Sequence, residues 1–231
     1  MSDFIQVSTT FGVVLSLMAY MIGLFLQKKT KKGIFNPLLI SIILVIFVLR
    51  IFRLAYVDYQ SGAKYLSYLL TPATVCLAIS LYRQFVLLKQ NYKAILGGIL
   101  VGVITSMLSV FVLAFLFKLS YEQYITLLPK SITTAIAMGV VDEMGGYTTI
   151  AIVVIIITGV VGNVFAEGIC KMFHISNPIA RGVAIGTSSH AIGTARAMEM
   201  GKIEGAMSSL AIVVSGIITV MLVPIFAKFI Q

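Results

Sequence analysis

Residues 177–204 read NPIARGVAIGTSSHAIGTARAMEMGKIE, and the fold turns on how this stretch is taken. It lies between two long apolar segments, where a membrane protein usually has a plain span or a short loop. It is neither. It is rich in Gly and Ala and carries Ser188, Ser189, His190, Thr194, Arg196, Glu199 and Glu204. Polar and ionisable groups at membrane depth are costly and tend to mark function. Pro178, Gly186 and Gly193 are the expected hinge points, because proline and glycine favour breaks in a regular helix. The stretch is expected to be a broken or re-entrant helix.

The surrounding composition sets the class. Of 231 residues, 59% are hydrophobic and 11% are charged, where a soluble domain is about 45–50% apolar and about 25% charged. Several apolar runs reach the roughly 20 residues that a spanning helix needs. The weak alternating segments of a β-barrel are absent from the sequence. The fold class is therefore all-α: a single polytopic helical membrane domain over residues 1–231. It has about six to eight hydrophobic segments, two or three of them broken or re-entrant, with an inverted-repeat transporter left open. The net charge of +9 follows the positive-inside bias of basic loops and does not point to nucleic acid. Cys76 and Cys170 lie in apolar stretches without ligand spacing and read as packed side chains.

Along the chain, the first run covers residues 7–26, with Asp3 ahead of it and no basic region of the kind that precedes a cleaved signal. Lys28, Lys29, Lys31 and Lys32 follow it, placing that loop in the cytoplasm and the N-terminus outside. A second run begins at Asn36-Pro37 and ends near Arg50 and Arg53, which snorkel or face a polar cavity. A third run, residues 65–82, contains Thr71-Pro72-Ala73-Thr74, and Pro72 is an expected break. Arg83, Lys89 and Lys93 then fit a second cytoplasmic loop. Residues 94–117 form an uninterrupted run with a weak GxxxG at Gly98 and Gly102. Next comes LLPKSITTAIAMGVV, residues 127–141, with hinges expected at Pro129, Gly145 and Gly146. Its apolar part is too short for a comfortable span. Residues 147–169 carry Asn163 and Glu167, read as a polar stripe facing the bundle, and a last run covers 206–230. An Asn-Pro pair follows both the first and the 147–169 runs. Matching interrupted segments in two halves point to inverted repeats.

Two clusters carry candidate chemistry. Lys130, Ser131, Thr133 and Thr134 follow Pro129, and a helix start there would offer free N–H groups, an ammonium and hydroxyls to a carboxylate or phosphate. The plainer account is that Ser and Thr bond back to the preceding turn. In the 177–204 stretch, Thr187, His190 and Thr194 share one face of a continuous helix, with Arg196 off that face unless the helix breaks at Gly193. His190 is a candidate for proton coupling, or a hydrogen-bonded structural residue. Arg196 and Glu199, three apart, are expected to pair. An enzyme is not expected: there is no GxSxG elbow, HExxH or P-loop, and no metal-ligating set or cofactor motif.

These residues also carry a resemblance. Asn36-Pro37, Pro72-Ala73-Thr74-Val75, LLPKSITTAIAMGV with Gly145-Gly146, and above all NPIARGVAIGTSSHAIGTARAMEMG with EGAMSSLA make the chain similar to the LrgB/CidB family of bacterial membrane proteins. At Thr71 it departs from relatives with an acidic residue there. The resemblance implies an antiholin-like or holin-like regulator of murein hydrolase activity, cytolysis and autolysis in the bacterial cell membrane. It implies a smaller LrgA/CidA-type membrane partner and leaves a homo-oligomer open. It further implies carriage of small monocarboxylates of the pyruvate or glycolate class, as for a plant plastid relative that moves glycolate and glycerate. A carrier needs a midplane site built from broken helices. The expected substrate contacts are Lys130, Ser131, Thr133, Thr134, Ser188, Ser189, His190, Thr194 and Arg196, with His190 facing Lys130.

Overall fold

A computed structural model describes residues 10–30, 37–69, 72, 75, 76, 79, 82, 83 and 85–230. Every regular element among them is helical. The chain divides into two compact units, Met1–Cys76 and Leu77–Gln231. Among the described residues four helices are long and apolar enough to cross a membrane: Phe11–Thr30, Phe85–Leu116, Thr148–Met172 and Lys202–Phe229. The protein is a multi-pass helical membrane protein.

The first unit contains α1 (Phe11–Thr30), α2 (Pro37–Ile51) and α3 (Tyr56–Ser67). In lipid no hydrophobic force drives helices together, so close approach through small residues and hydrogen bonds does that work. Gly23 lets α1 approach the start of α2, where an added Cβ would lie 2.7 Å from the Pro37 carbonyl oxygen. Ser16 and Tyr59 join α1 to α3 through a 2.7 Å hydroxyl contact. The break expected around Pro72 involves Thr71, Ala73 and Thr74, which lie outside the described residues, as does Asn36. Pro72 itself is helical.

The second unit contains α4 (Phe85–Leu116), α5 (Tyr121–Leu127), α6 (Thr134–Glu143), α7 (Thr148–Met172), α8 (Pro178–Met200) and α9 (Lys202–Phe226), with a short 3-10 turn over Ala227–Phe229. One stripe of α4, Ile95, Ile99, Val103, Met107, Val110 and Ala114, recurs at the helical period and is buried in the main core. It packs with Tyr124, Ile125 and Leu128 and with Ala206, Met207, Ala211, Val223 and Phe226.

Residues 121–146 form a helical hairpin. Ser120 caps α5 in a capping box with Gln123. It also donates 2.7 Å to Glu122, whose carboxyl is held below the usual range chiefly by that bond. Pro129 has no N–H to continue α5, and residues 128–133 turn before α6 begins. α6 then runs back: Ile132, Ala137, Val141, Ala151 and Ile155 pack in one buried cluster that zips it against the start of α7. Gly145 adopts φ +79, which an L side chain rarely does. The backbone N–H of Tyr147 donates 2.8 Å to Thr126, so the chain leaving α6 returns beside the last turn of α5.

The 177–201 stretch is a second helical hairpin. α8 is two helical arms joined at His190, whose backbone is non-helical at φ 41, ψ −143. Gly182 abuts Glu204 and Met207, and Gly186 abuts Ser208 and Ala211. On the returning arm Thr194 meets Ser208 at 2.6 Å, and a Cβ on Gly205 would lie 2.8 Å from Met198. Residues from both arms thus lie beside the same first turns of α9, which requires the chain to reverse between them. Pro178, Gly186 and Gly193 were the expected hinges, and the break falls at none of them; Pro178 opens the first turn of α8. Both glycines are spent on close approach, Gly186 to α9 and Gly193 to Ser189 and Ile185 of the facing arm.

The order in this unit is span, hairpin, span, hairpin, span.

Candidate functional site

Beside its core stripe, α4 presents a second one: Asn91, Gly98, Gly102, Ser106 and Ser109. The first arm of α8 comes close at Gly102, through Thr187, and at Gly98, through Val183, but does not close over the whole stripe. A cavity of about 790 Å³ remains, walled on the other side by Ile179, Ala180, Val183, Ala184, Thr187 and Ser188. Lys130 and Ser131, from the turn of the first hairpin, stand at its polar end.

The Lys130 ammonium donates 3.3 Å to Ser106 Oγ and 3.2 Å to Ser131 Oγ, and the two hydroxyls are 3.0 Å apart. Among the described residues no carboxylate pairs with it; the ion pairs are all elsewhere. Ser106 lies thirteen residues from Lys93 and twelve from Lys118, the basic residues flanking the apolar part of α4. At about 1.5 Å per residue both are roughly 18–20 Å away. Lys130 therefore stands about midway along the span, a cation at membrane depth held by hydroxyls alone. Such an ammonium attracts an anion, since a cation is expensive there without a counter-charge.

The other predicted residues are elsewhere. Thr133 and Thr134 do not line the cavity: the helix start expected directly after Pro129 falls at Thr134, beyond Lys130 and Ser131. His190 does not face Lys130. Its ring enters the notch left by Gly159, and Nε2–H donates 2.9 Å to the Ile155 carbonyl of α7. Ser189 fills the space left by Gly162, and Thr194 Oγ1 donates 3.0 Å to the His190 carbonyl. Arg196 pairs with Glu199 at 2.6 Å as expected, and also with Glu167 of α7. Asn163 donates 2.6 Å to the Ile192 carbonyl. Five of these contacts, to Ile155, Gly159, Gly162, Asn163 and Glu167, fasten the tip and returning arm of the second hairpin to α7. Of the predicted set, Lys130, Ser131 and Ser188 reach the cavity.

Ser106, Thr187 and Asn91 also line it and were outside the expected set. Their signal was in the sequence: Gly98, Gly102 and Ser106 recur every four residues, an open stripe on a span that otherwise reads as uniform. Among the described residues no cluster of His, Cys, Asp and Glu could hold a metal ion.

Relatives match this sequence over nearly its whole length. No solved structure matches it. An antiholin-like protein LrgB of Bacillus subtilis (strain 168) is 39% identical over 224 residues, covering 96% of this chain and 97% of that protein. The protein of the same name from Bacillus cereus (strain B4264) is 38% identical over 221 residues, covering 95% and 96%. The LrgB-like family model matches residues 16–229, a span that includes both hairpins and the cavity, and the chain belongs to that family.

Proposed function

We propose that this protein is a membrane carrier for small monocarboxylates, of the pyruvate or glycolate class, whose activity is linked to control of murein hydrolases and autolysis. One observation carries the carrier function: a cation unpaired by any described carboxylate, Lys130, held by hydroxyls in a cavity midway through the bundle. Two opposed re-entrant hairpins around a midplane site are the means by which many secondary transporters expose a site to either side. Lys130, Ser106 and Ser131 seat the carboxylate, with Thr187 and Ser188 in the adjoining wall. Ser189, His190, Thr194 and Arg196 act as positioning residues for the second hairpin, and Thr133 and Thr134 for the first.

Orientation follows from charge. With both hairpins turning back, Lys89, Lys93, Lys171 and Lys202 share one face in this reading, and Glu122, Asp142 and Glu143 accompany Lys118 on the opposite one. The first face is cytoplasmic by the positive-inside rule. In the first unit the Lys28–Lys32 loop is cytoplasmic and the N-terminus outside on the same ground.

The printed name of the relatives, antiholin-like, supports a part in lysis control. It also favours a second function, that of a pore regulator acting with a small LrgA/CidA-type partner. Proteoliposome uptake separates the two. Wild-type vesicles are expected to accumulate labelled pyruvate or glycolate, and Lys130→Ala to reduce uptake at least tenfold. Release of a large entrapped dye, with no saturable carboxylate uptake with or without the partner, overturns the carrier.

A further inference from the structure

We propose that Thr187 sets substrate choice in this cavity, favouring carboxylates with a second oxygen on the adjacent carbon over plain alkanoates. The inference rests on the carboxylate-carrier function proposed above. Thr187 is 5% exposed, and its Oγ1 is the one buried side-chain polar atom among the described residues without a hydrogen-bond partner. Hydroxyls on membrane helices ordinarily bond back to the preceding turn. Ser188 does so to Ala184, Ser209 to Gly205 and Thr194 to His190. Thr187 does not, although it belongs to the cavity wall. A buried hydroxyl left unpaired is costly, and a ligand is a natural partner for it.

The position suits that role. Thr187 lies against Gly102, where an added Cβ would come within 2.8 Å of Thr187 Cγ2. Gly102 is one turn of α4 from Ser106, about 6 Å along the axis, and Ser106 holds the Lys130 ammonium at 3.3 Å. Two oxygens on adjacent carbons lie about 3 Å apart, given bonds of about 1.5 and 1.2 Å. With hydrogen bonds of about 2.8 Å at each end, a 2-oxo or 2-hydroxy acid bridges that gap along a bent path. Its carboxylate sits on Lys130 and its second oxygen meets Thr187. Threonine in a helix uses two χ1 rotamers, and rotation between them brings Oγ1 to where the methyl now faces Gly102. An alkanoate of the same length presents a methylene there and leaves the hydroxyl unpaired. A site built to hydrogen-bond a polar group rejects the analogue lacking it more strongly than an apolar pocket rejects a size change.

The test compares uptake of labelled pyruvate and propionate by proteoliposomes holding the full chain as wild type, Thr187→Val, Thr187→Ala or Thr187→Ser. Thr187→Val keeps the shape and removes the hydroxyl. Thr187→Ala removes it with a different steric change, so that a folding defect in one does not decide the outcome. Wild type and Thr187→Ser are expected to prefer pyruvate about tenfold, and the Val and Ala variants less than about twofold. An unchanged preference in Val or Ala, or no preference in wild type, overturns the assignment while Lys130-dependent uptake leaves the carrier standing. Failure of wild type to take up either acid overturns both.

Discussion

His190 is the residue on which the second hairpin turns, and its backbone is in a region that glycine enters freely and other residues enter at a cost. Its ring offsets that cost through the bond to Ile155 and the fit against Gly159. Two substitutions separate these effects. His190→Ala keeps the backbone strain and loses the ring; His190→Gly loses the ring and relieves the strain. The glycine variant is expected to be the more stable in detergent by about 1 kcal/mol, read as the higher melting temperature. The reverse order indicates that the positive φ is not the origin of the cost. Arg196 shows the opposite balance. Its pairs with Glu199 and Glu167 are partly exposed, and such pairs contribute about 0–1 kcal/mol. Arg196→Gln is expected to shift melting only slightly, and a large loss indicates a role beyond pairing.

At the scale of elements, hairpin and span are joined by missing side chains rather than by greasy ones. Gly162 on α7 leaves the space that Ser189 occupies, and any Cβ there meets Ser189 directly. Gly162→Ala is expected to destabilise by about 1–3 kcal/mol, as overpacking of a filled site does. Adding Ser189→Gly to Gly162→Ala is expected to recover a substantial part of that loss. A double-mutant cycle in detergent measures the coupling; additive effects show that the two positions do not touch.

For the whole molecule, the two hairpins fix which loops share a side of the membrane. If 177–201 turns back at His190, Lys171 and Lys202 lie on one face and Glu143 on the other. If it crosses, Lys171 and Lys202 are separated. Single cysteines at these positions, after replacement of Cys76 and Cys170, are expected to label with an impermeant thiol reagent from one side for 171 and 202 and from the opposite side for 143. Labelling of 171 and 202 from opposite sides removes the re-entrant hairpin and the inverted repeat with it.

The class, the approximate spans and the interruptions in 127–145 and 177–204 are legible in the sequence. Length and hydropathy settle those locally, because a bilayer demands about 20 apolar residues per crossing and tolerates few polar ones. The sequence also singled out Lys130, since a lone ammonium between apolar runs is legible without knowing its neighbours. The tertiary structure alone decided which way each interrupted segment turns and what its polar groups meet. Glycine spacing in 177–204 suggested a break at Gly186 or Gly193, yet it falls at His190, because α7 supplies the Gly159 notch and the Ile155 carbonyl that hold a strained residue there. The same notch took His190 away from the cavity. In its place the stripe of Gly98, Gly102 and Ser106 brought Ser106 to Lys130 and Thr187 into the wall of the same cavity. Those partners come from segments distant in the chain, and a helix face shows its neighbours only once it is packed.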